Sequence, residues 1–146
     1  MKDQPAIAKL QSVAAELRRD APGAKELLTQ DAYLAIEAGW SVPPGLDMGP
    51  FAYFPNFSDE RAKALHVVNR AGLRELLRTT TATVAAMSGY GLCIACPAVS
   101  ELSVEEQQEL RALLESRYEP VRTVRGFGQG ATDLTIYRLR DVGAAR

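Results

Sequence analysis

The strongest constraint on the fold is the stretch VPPGLDMGPFAYFPNF at residues 42–57. It contains four prolines, two glycines and four aromatic residues, and Asp47 carries its single charge. Proline fixes φ and removes a backbone donor, so neither a helix nor a central strand can hold this many prolines. A disordered linker contains few aromatic residues. We therefore expect a rigid loop that is extended at Pro43 and Pro44 and bends at its two glycines.

The four aromatic rings of this loop allow two interpretations. They can cover the edge of a sheet as part of the core, or they can form a surface for a ligand, a partner domain or a membrane interface. Both interpretations can hold for different residues of the loop. The residues that we predict to contact a ligand or partner are Asp47, Met48, Phe51, Tyr53, Phe54 and, in a glycine-rich loop described below, Gln129.

The chain before the loop has the pattern of a helix, a short strand and a second helix. Apolar residues recur at helical spacing over residues 5–20, and ELLT at residues 26–29 predicts a buried strand. Asp31 is a candidate N-cap for a short helix that Gly39 would end. A strand, a turn and a helix within so few residues are typical of an α/β protein.

After the loop, Ser58 is a good N-cap, and two acidic residues follow it. The apolar spacing predicts one helix from there to about Leu77, with His66 in its middle. Residues 83–87 predict a central strand, and a capping box at residues 103–106 predicts another helix.

Two strand patterns, at residues 120–125 and 133–140, predict a C-terminal antiparallel hairpin. The complete prediction is an α/β fold in which helices pack on a mixed sheet of four or five strands. A chain of 146 residues can close one core, so we predict a single domain over residues 1–146 with residues 1–4 and 141–146 frayed.

The charge and the termini exclude some classes of function. The net charge is −1, so no broad basic surface for nucleic acid is expected. The N-terminal residues lack the apolar run of a signal peptide. Residues 79–100 are uncharged over a membrane-spanning length, but threonine, glycine and proline interrupt them. We expect a buried strand there, followed by a second strand or a loop.

Cys93 and Cys96 form a CxxC motif within that uncharged run. Two cysteines do not complete a zinc site, and His66 is distant in sequence. A redox pair would lie at a helix N-terminus after a strand, whereas Pro97 follows this motif directly. We interpret the cysteines as small buried side chains, with redox chemistry and metal binding as alternatives.

The glycines of the loop GFGQG at residues 126–130 resemble those of phosphate-binding loops. In such loops a helix N-terminus follows the glycines. Here a strand pattern follows, so a hairpin turn explains the glycines more simply, and nucleotide binding stays an alternative. The acidic residues are too scattered to form a carboxylate pair, and no triad pattern surrounds His66. We predict no catalytic residue, no metal and no cofactor.

The sequence resembles one family, most specifically in the pattern AxEAGxxVPPGLxMGPFxYFP at residues 35–55. It looks like the C-terminal soluble region of bacterial membrane glycosyltransferases of the dolichyl-phosphate-mannose–protein mannosyltransferase type. These enzymes are related to the aminoarabinose transferases that modify lipid A. The resemblance extends from about residue 20 to about residue 140 and includes YEPVRTVRGFGQGATDLTIYRLR.

The resemblance implies that this chain acts beside the transmembrane part of a membrane enzyme. In that family, transmembrane helices hold a polyprenyl-phosphate sugar donor, and catalytic acids lie on loops near the membrane. The soluble domain lies over that site on the extracytoplasmic face and helps to bind or admit the acceptor. The present chain has neither the transmembrane helices nor the acidic catalytic loop, so the resemblance implies that it does not transfer sugar alone.

Three functions follow from the sequence. The leading one is a non-catalytic binding domain of that glycosyltransferase type, whose partner is the transmembrane portion or the acceptor. The alternative is a small soluble enzyme or redox protein that uses Cys93 and Cys96, or a ligand pocket at the GFGQG loop. The third is an interaction module of another kind.

Overall fold

The structure is a computed structural model that describes residues 4–89, 91–92, 102–128 and 130–141. The helices are α1 (Ala6–Asp20), α2 (Ala32–Ala38), α3 (Asp59–Ala64), α4 (Arg70–Thr79) and α5 (Val104–Arg117), and a 3₁₀ turn covers Gly49–Phe51. The strands are β1 (Leu27–Thr29), β2 (Val84–Met87), β3 (Tyr118–Phe127) and β4 (Thr132–Leu139). None of the helices in this part of the chain combines the length and the apolar composition needed to span a membrane.

The four strands form one mixed sheet in the order β1-β2-β4-β3. Strands β1 and β2 are parallel, whereas β4 is antiparallel to both β2 and β3. The α/β fold and the C-terminal antiparallel hairpin predicted from the sequence are therefore confirmed.

Helices cover both faces of the sheet because successive strand residues point to opposite sides. On one face α1 and α2 pack against Leu27, Val84 and Ile136. On the other face α4 and α5 pack against Leu28, Ala85 and Tyr137. Both faces of the two short parallel strands, β1 and β2, are thus buried, which explains why their sequences do not alternate between apolar and polar residues.

The single helix predicted from Ser58 to about Leu77 is wrong, because the structure has two helices there. Ser58 caps α3 as expected, and its hydroxyl accepts from the Arg61 amide at 3.2 Å. The helix ends at Ala64, and His66 lies in an exposed turn with φ of 56° rather than in the middle of a helix. The chain then pairs with the proline-rich loop through Val68 before α4 begins.

Asn69 joins the two helices to the proline-rich loop. Its Oδ1 caps α4 by accepting from the Gly72 amide at 2.8 Å. Its Nδ2 donates to the Phe57 carbonyl at 3.1 Å and to Asp59 Oδ1 at 2.7 Å. One buried side chain therefore fixes the end of the loop and the start of two helices.

We expect Asn69→Ala to lower the free energy of unfolding by about 1–3 kcal/mol, because it removes a helix cap and leaves buried groups without partners. Urea denaturation measures the loss. The matched control is Ser58→Ala, which removes only an exposed cap and should cost about 0.5–1 kcal/mol. Equal losses in the two variants would contradict the joining role of Asn69.

Candidate functional site

Three segments meet at the end of the sheet where the parallel strands finish. Gln30 and Asp31 follow β1, and Ser88 and Gly89 follow β2. We call this end of the sheet, with these four residues, the carboxyl edge. The β3–β4 hairpin loop also lies here, because the Gly89 amide donates to Thr132 Oγ1 at 2.9 Å. In α/β proteins ligands bind outside the carboxyl ends of parallel strands.

The proline-rich loop reaches the carboxyl edge at Gly49. An added Cβ at this residue would lie 3.0 Å from the Gln30 carbonyl oxygen, and its φ is +61°. A side chain would therefore be both crowded and strained, so the close approach depends on glycine. The 3₁₀ turn Gly49–Phe51 consequently lies directly against the carboxyl edge.

Met48 and Phe51 form an exposed apolar pair on this turn. Their exposed fractions are 57% and 53%. The Phe51 amide donates to the Met48 carbonyl at 3.2 Å, and side chains three residues apart in a 3₁₀ turn lie on the same side. Asp47 is exposed beside them, and its carboxylate accepts from the Gly45 amide at 3.4 Å. These three predicted contact residues lie together on the surface.

Two other predicted contact residues, Tyr53 and Phe54, are less exposed. Tyr53 is 1% exposed and lies in the core beneath α4 and α5. Phe54 is half-buried and stacks on Phe57 with 4.6 Å between ring centroids. The Arg61 guanidinium covers the Phe57 ring at 4.1 Å. Within the loop, Tyr53 therefore belongs to the core, whereas Phe51 is exposed.

A buried polar network lies at the carboxyl edge, where Gly49 approaches the Gln30 carbonyl. Asp31 is 1% exposed, and its Oδ1 accepts from Ser88 Oγ and from the Tyr33 hydroxyl, both at 3.0 Å. Its Oδ2 has no hydrogen-bond partner within the described ranges. Although Asp31 precedes α2 as predicted, its side chain does not cap that helix.

The side chain of Gln30 likewise has a hydrogen-bond partner for only one of its two polar atoms among the described residues. Its Oε1 accepts from the Leu92 amide at 2.6 Å, whereas its Nε2 has no partner among the residues that the structure describes. Most buried polar atoms in proteins are paired, so two unpaired atoms on consecutive residues are unusual.

Burial raises the pKa of the Asp31 carboxyl above its ordinary value, and the hydrogen bonds from Ser88 and Tyr33 oppose this shift. The desolvation effect is the larger of the two, because these hydrogen bonds, one of which comes from the Ser88 backbone, stabilise the charged form less than water does. Perturbed carboxyl groups of this kind concentrate at functional sites.

The sequence analysis missed this network. A signal was available in the residues themselves, because Gln30 and Asp31 directly follow one buried strand and Ser88 directly follows the next. Recognising it required knowing that β1 and β2 are parallel neighbours, which brings their carboxyl ends together.

Other motifs singled out in the sequence give a mixed outcome. Strands β3 and β4 pair as an antiparallel hairpin, and in the connection between them the described glycines have φ of 62° at Gly126 and 73° at Gly128. Gln129, Cys93 and Cys96 lie outside the described residues. No group of three His, Cys, Asp or Glu side chains that could hold a metal ion occurs in the described ranges.

A groove of about 380 Å³ lies at the opposite end of the sheet, between α1 and the strands. Leu17, Val84 and Ile136 contribute apolar surface to it. Arg122 and Glu16 also line it, and they form an ion pair with each other. None of the predicted contact residues lines this groove, so we place the candidate site at the carboxyl edge.

The fold and this edge define an α/β domain with an exposed apolar pair, Met48 and Phe51, and a buried carboxyl, Asp31. The chain matches no protein-family model, and searches of curated proteins and of solved structures found no similar protein.

Proposed function

We propose that the chain is a non-catalytic binding domain of a polyprenyl-phosphate-sugar-dependent membrane glycosyltransferase, and that it binds the transmembrane portion of that enzyme. The contact surface in this proposal consists of Asp47, Met48 and Phe51. The observation that carries it is the exposure of Met48 and Phe51 side by side on a turn that the rest of the loop holds rigidly.

The support for a binding surface is physical. Single exposed apolar residues are common on proteins, but Met48 and Phe51 are adjacent and lie on a constrained turn. Buried anchors on both sides, Leu46 and Tyr53, hold the turn in place. A rigid turn loses little conformational entropy when it binds.

The composition of the surface favours a protein partner. Methionine and aromatic residues are enriched at the cores of protein–protein interfaces. The same loop is the most specific part of the resemblance to the glycosyltransferase family, where the soluble domain lies over the membrane enzyme.

The test is a binding measurement with a glycosyltransferase of this type from the same genome, reconstituted in nanodiscs without a soluble domain of its own. We expect the double variant Met48→Ala/Phe51→Ala to weaken binding about tenfold or more, since truncated interface anchors commonly cost above 1 kcal/mol each. Wild-type protein that binds only a free acceptor, or that does not bind at all, would contradict the proposal.

Val121→Ala is the matched control for this experiment. Val121 is 50% exposed on β3 and lines the groove at the other end of the sheet. It lies six residues from Phe127, or about 20 Å along an extended strand, so it is remote from the carboxyl edge. The affinity of Val121→Ala for the membrane enzyme should stay within about twofold of wild type, a free-energy change below about 0.5 kcal/mol. An equal loss in both variants would place the contact elsewhere.

A further inference from the structure

The groove between α1 and the strands, at the end of the sheet opposite the carboxyl edge, has no part in the proposed function. Its volume is about 380 Å³, and small-molecule sites commonly measure about 300–1,000 Å³. It lies beside the C-terminal part of α1 and crosses β2, β4 and β3, neighbouring strands that together are about 10 Å wide. Every residue that lines the groove belongs to the described part of the chain. The groove therefore has the dimensions of a binding site for a small molecule.

The floor of this groove is apolar. Leu17 of α1, Val84 of β2 and Ile136 of β4 contribute to it and are 4%, 6% and 5% exposed. Ala21, which directly follows α1, also lines the groove and leaves it open, because its side chain is a single methyl group. Water on an apolar floor finds few hydrogen-bond partners, so an apolar molecule that displaces this water gains free energy.

The charged side chains that line the groove, two acidic and two basic, balance one another. Glu16 of α1 and Arg122 of β3 form an ion pair. Asp20 lies 3.7 Å from an arginine of its own helix, and Arg138 lies 2.6 Å from the Glu119 carboxylate. An anionic ligand would meet the two acids, and a cationic ligand would meet the two arginines. The groove is therefore complementary to an uncharged molecule, which loses no charge hydration when it binds.

Thr83 adds one uncharged polar group to the lining. The residue is exposed, and its hydroxyl makes no hydrogen bond to the residues that the structure describes. Its carbonyl accepts from the Leu139 amide at 2.9 Å, which fixes the backbone beside the groove. A threonine hydroxyl both donates and accepts, so it can bond to an alcohol or to a carbonyl group of a ligand.

We propose that this groove binds a small uncharged molecule that has an apolar body and one hydroxyl or carbonyl group. An apolar cavity of about 150 Å³ holds benzene. The groove has more than twice that volume, so it fits two fused rings or an alkyl chain of similar size. This site is at the other end of the sheet from Met48 and Phe51, and the proposal does not depend on the function proposed for that pair.

The probe is naphthylmethanol, compared with naphthoate and with protonated naphthylmethylamine, which carry the same two rings with a negative or a positive charge. Each is titrated into the full chain, and binding is followed by NMR of the methyl groups. We expect the alcohol to bind and to show nuclear Overhauser contacts to the methyl groups of Val84 and Ile136. Both charged analogues should bind at least about tenfold more weakly, because each loses charge hydration beside a like charge.

Two variants test the site from different sides. Ala21→Phe places a ring in the groove and should weaken binding of the alcohol about tenfold or more; the φ of −130° at this residue is open to any side chain. Thr83→Val keeps the side-chain shape and removes the hydroxyl, which should weaken binding about three- to tenfold. The control is Met48→Ala/Phe51→Ala, which removes the exposed apolar pair and should leave the affinity within about twofold of wild type.

Four results would each overturn the proposal. The first is that naphthylmethanol does not bind, and the second is that either charged analogue binds as tightly as the alcohol. The third is a loss of binding in the control variant that matches the loss in Ala21→Phe and Thr83→Val. The fourth is a set of contacts in the free protein that join Val84 or Ile136 to a segment of the same chain or to a second copy, because such a segment would already fill the groove.

Discussion

Tyr53→Ala should lower the free energy of unfolding by about 3–5 kcal/mol, the usual cost of truncating a buried aromatic ring. The ring is 1% exposed and belongs to the core cluster beneath α4 and α5. On either side of it, the Val68 amide donates to the Ala52 carbonyl and the Phe54 amide donates to the Val68 carbonyl, both at 2.9 Å. The cavity would therefore also loosen the attachment of the proline-rich loop.

Phe51→Ala is the matched variant, because it truncates another aromatic ring two residues away in the same loop. Phe51 is 53% exposed, so its loss should change the free energy of unfolding by no more than about 0.5 kcal/mol. Tyr53→Phe, which keeps the ring, should lose much less stability than Tyr53→Ala. Urea denaturation of the three variants measures these differences. If Tyr53→Ala were as stable as wild type and Phe51→Ala were unstable, Phe51 and not Tyr53 would be the ring that stabilises the core.

This contrast shows what could be predicted from the sequence of the loop. The prolines predict a rigid path because they act on local backbone geometry. Which aromatic ring faces the core depends instead on where the loop touches the rest of the molecule. That contact occurs at Gly49 against the Gln30 carbonyl, and the local sequence does not specify it.

For the helices too, features with a local cause could be predicted from the sequence, whereas features with a tertiary cause could not. The cap at Ser103, whose hydroxyl accepts from the Glu106 amide at 3.1 Å, was predictable because both groups lie within one turn of helix. The break between α3 and α4 was not, because the apolar spacing continues through it. The pairing of Tyr53 with Val68, fifteen residues away, stops the helix there.

Asp31 gives the clearest example for the candidate site. Its position before a short helix suggests an N-cap, and the sequence supports no other role for it. In the structure its carboxyl bonds to Ser88, 57 residues away, because parallel pairing brings the two strand ends together. Of the predicted contact residues, Asp47, Met48 and Phe51 are exposed. The polar network of Gln30, Asp31 and Ser88 could be found only from the sheet order.

Asp31→Asn should raise the free energy of unfolding at neutral pH by on the order of 1–3 kcal/mol, since it replaces a buried carboxylate, whose charge has lost its hydration, with a neutral amide. The expected sign follows from linkage. Burial raises the pKa of the folded carboxyl above its unfolded value, so its folded state holds the proton more tightly. The stability due to Asp31 is then fully present below about pH 4 and is lost as the pH rises through the pKa of the folded state.

The measurement is urea denaturation of wild type and Asp31→Asn at several pH values, with Asp133→Asn as the control for removing an exposed carboxylate. The difference between wild type and Asp31→Asn should be small in acid, grow with pH and then become constant, whereas Asp133→Asn should stay within about 0.5 kcal/mol of wild type. A variant that is less stable than wild type at neutral pH would instead mean that the ionised carboxylate stabilises the fold.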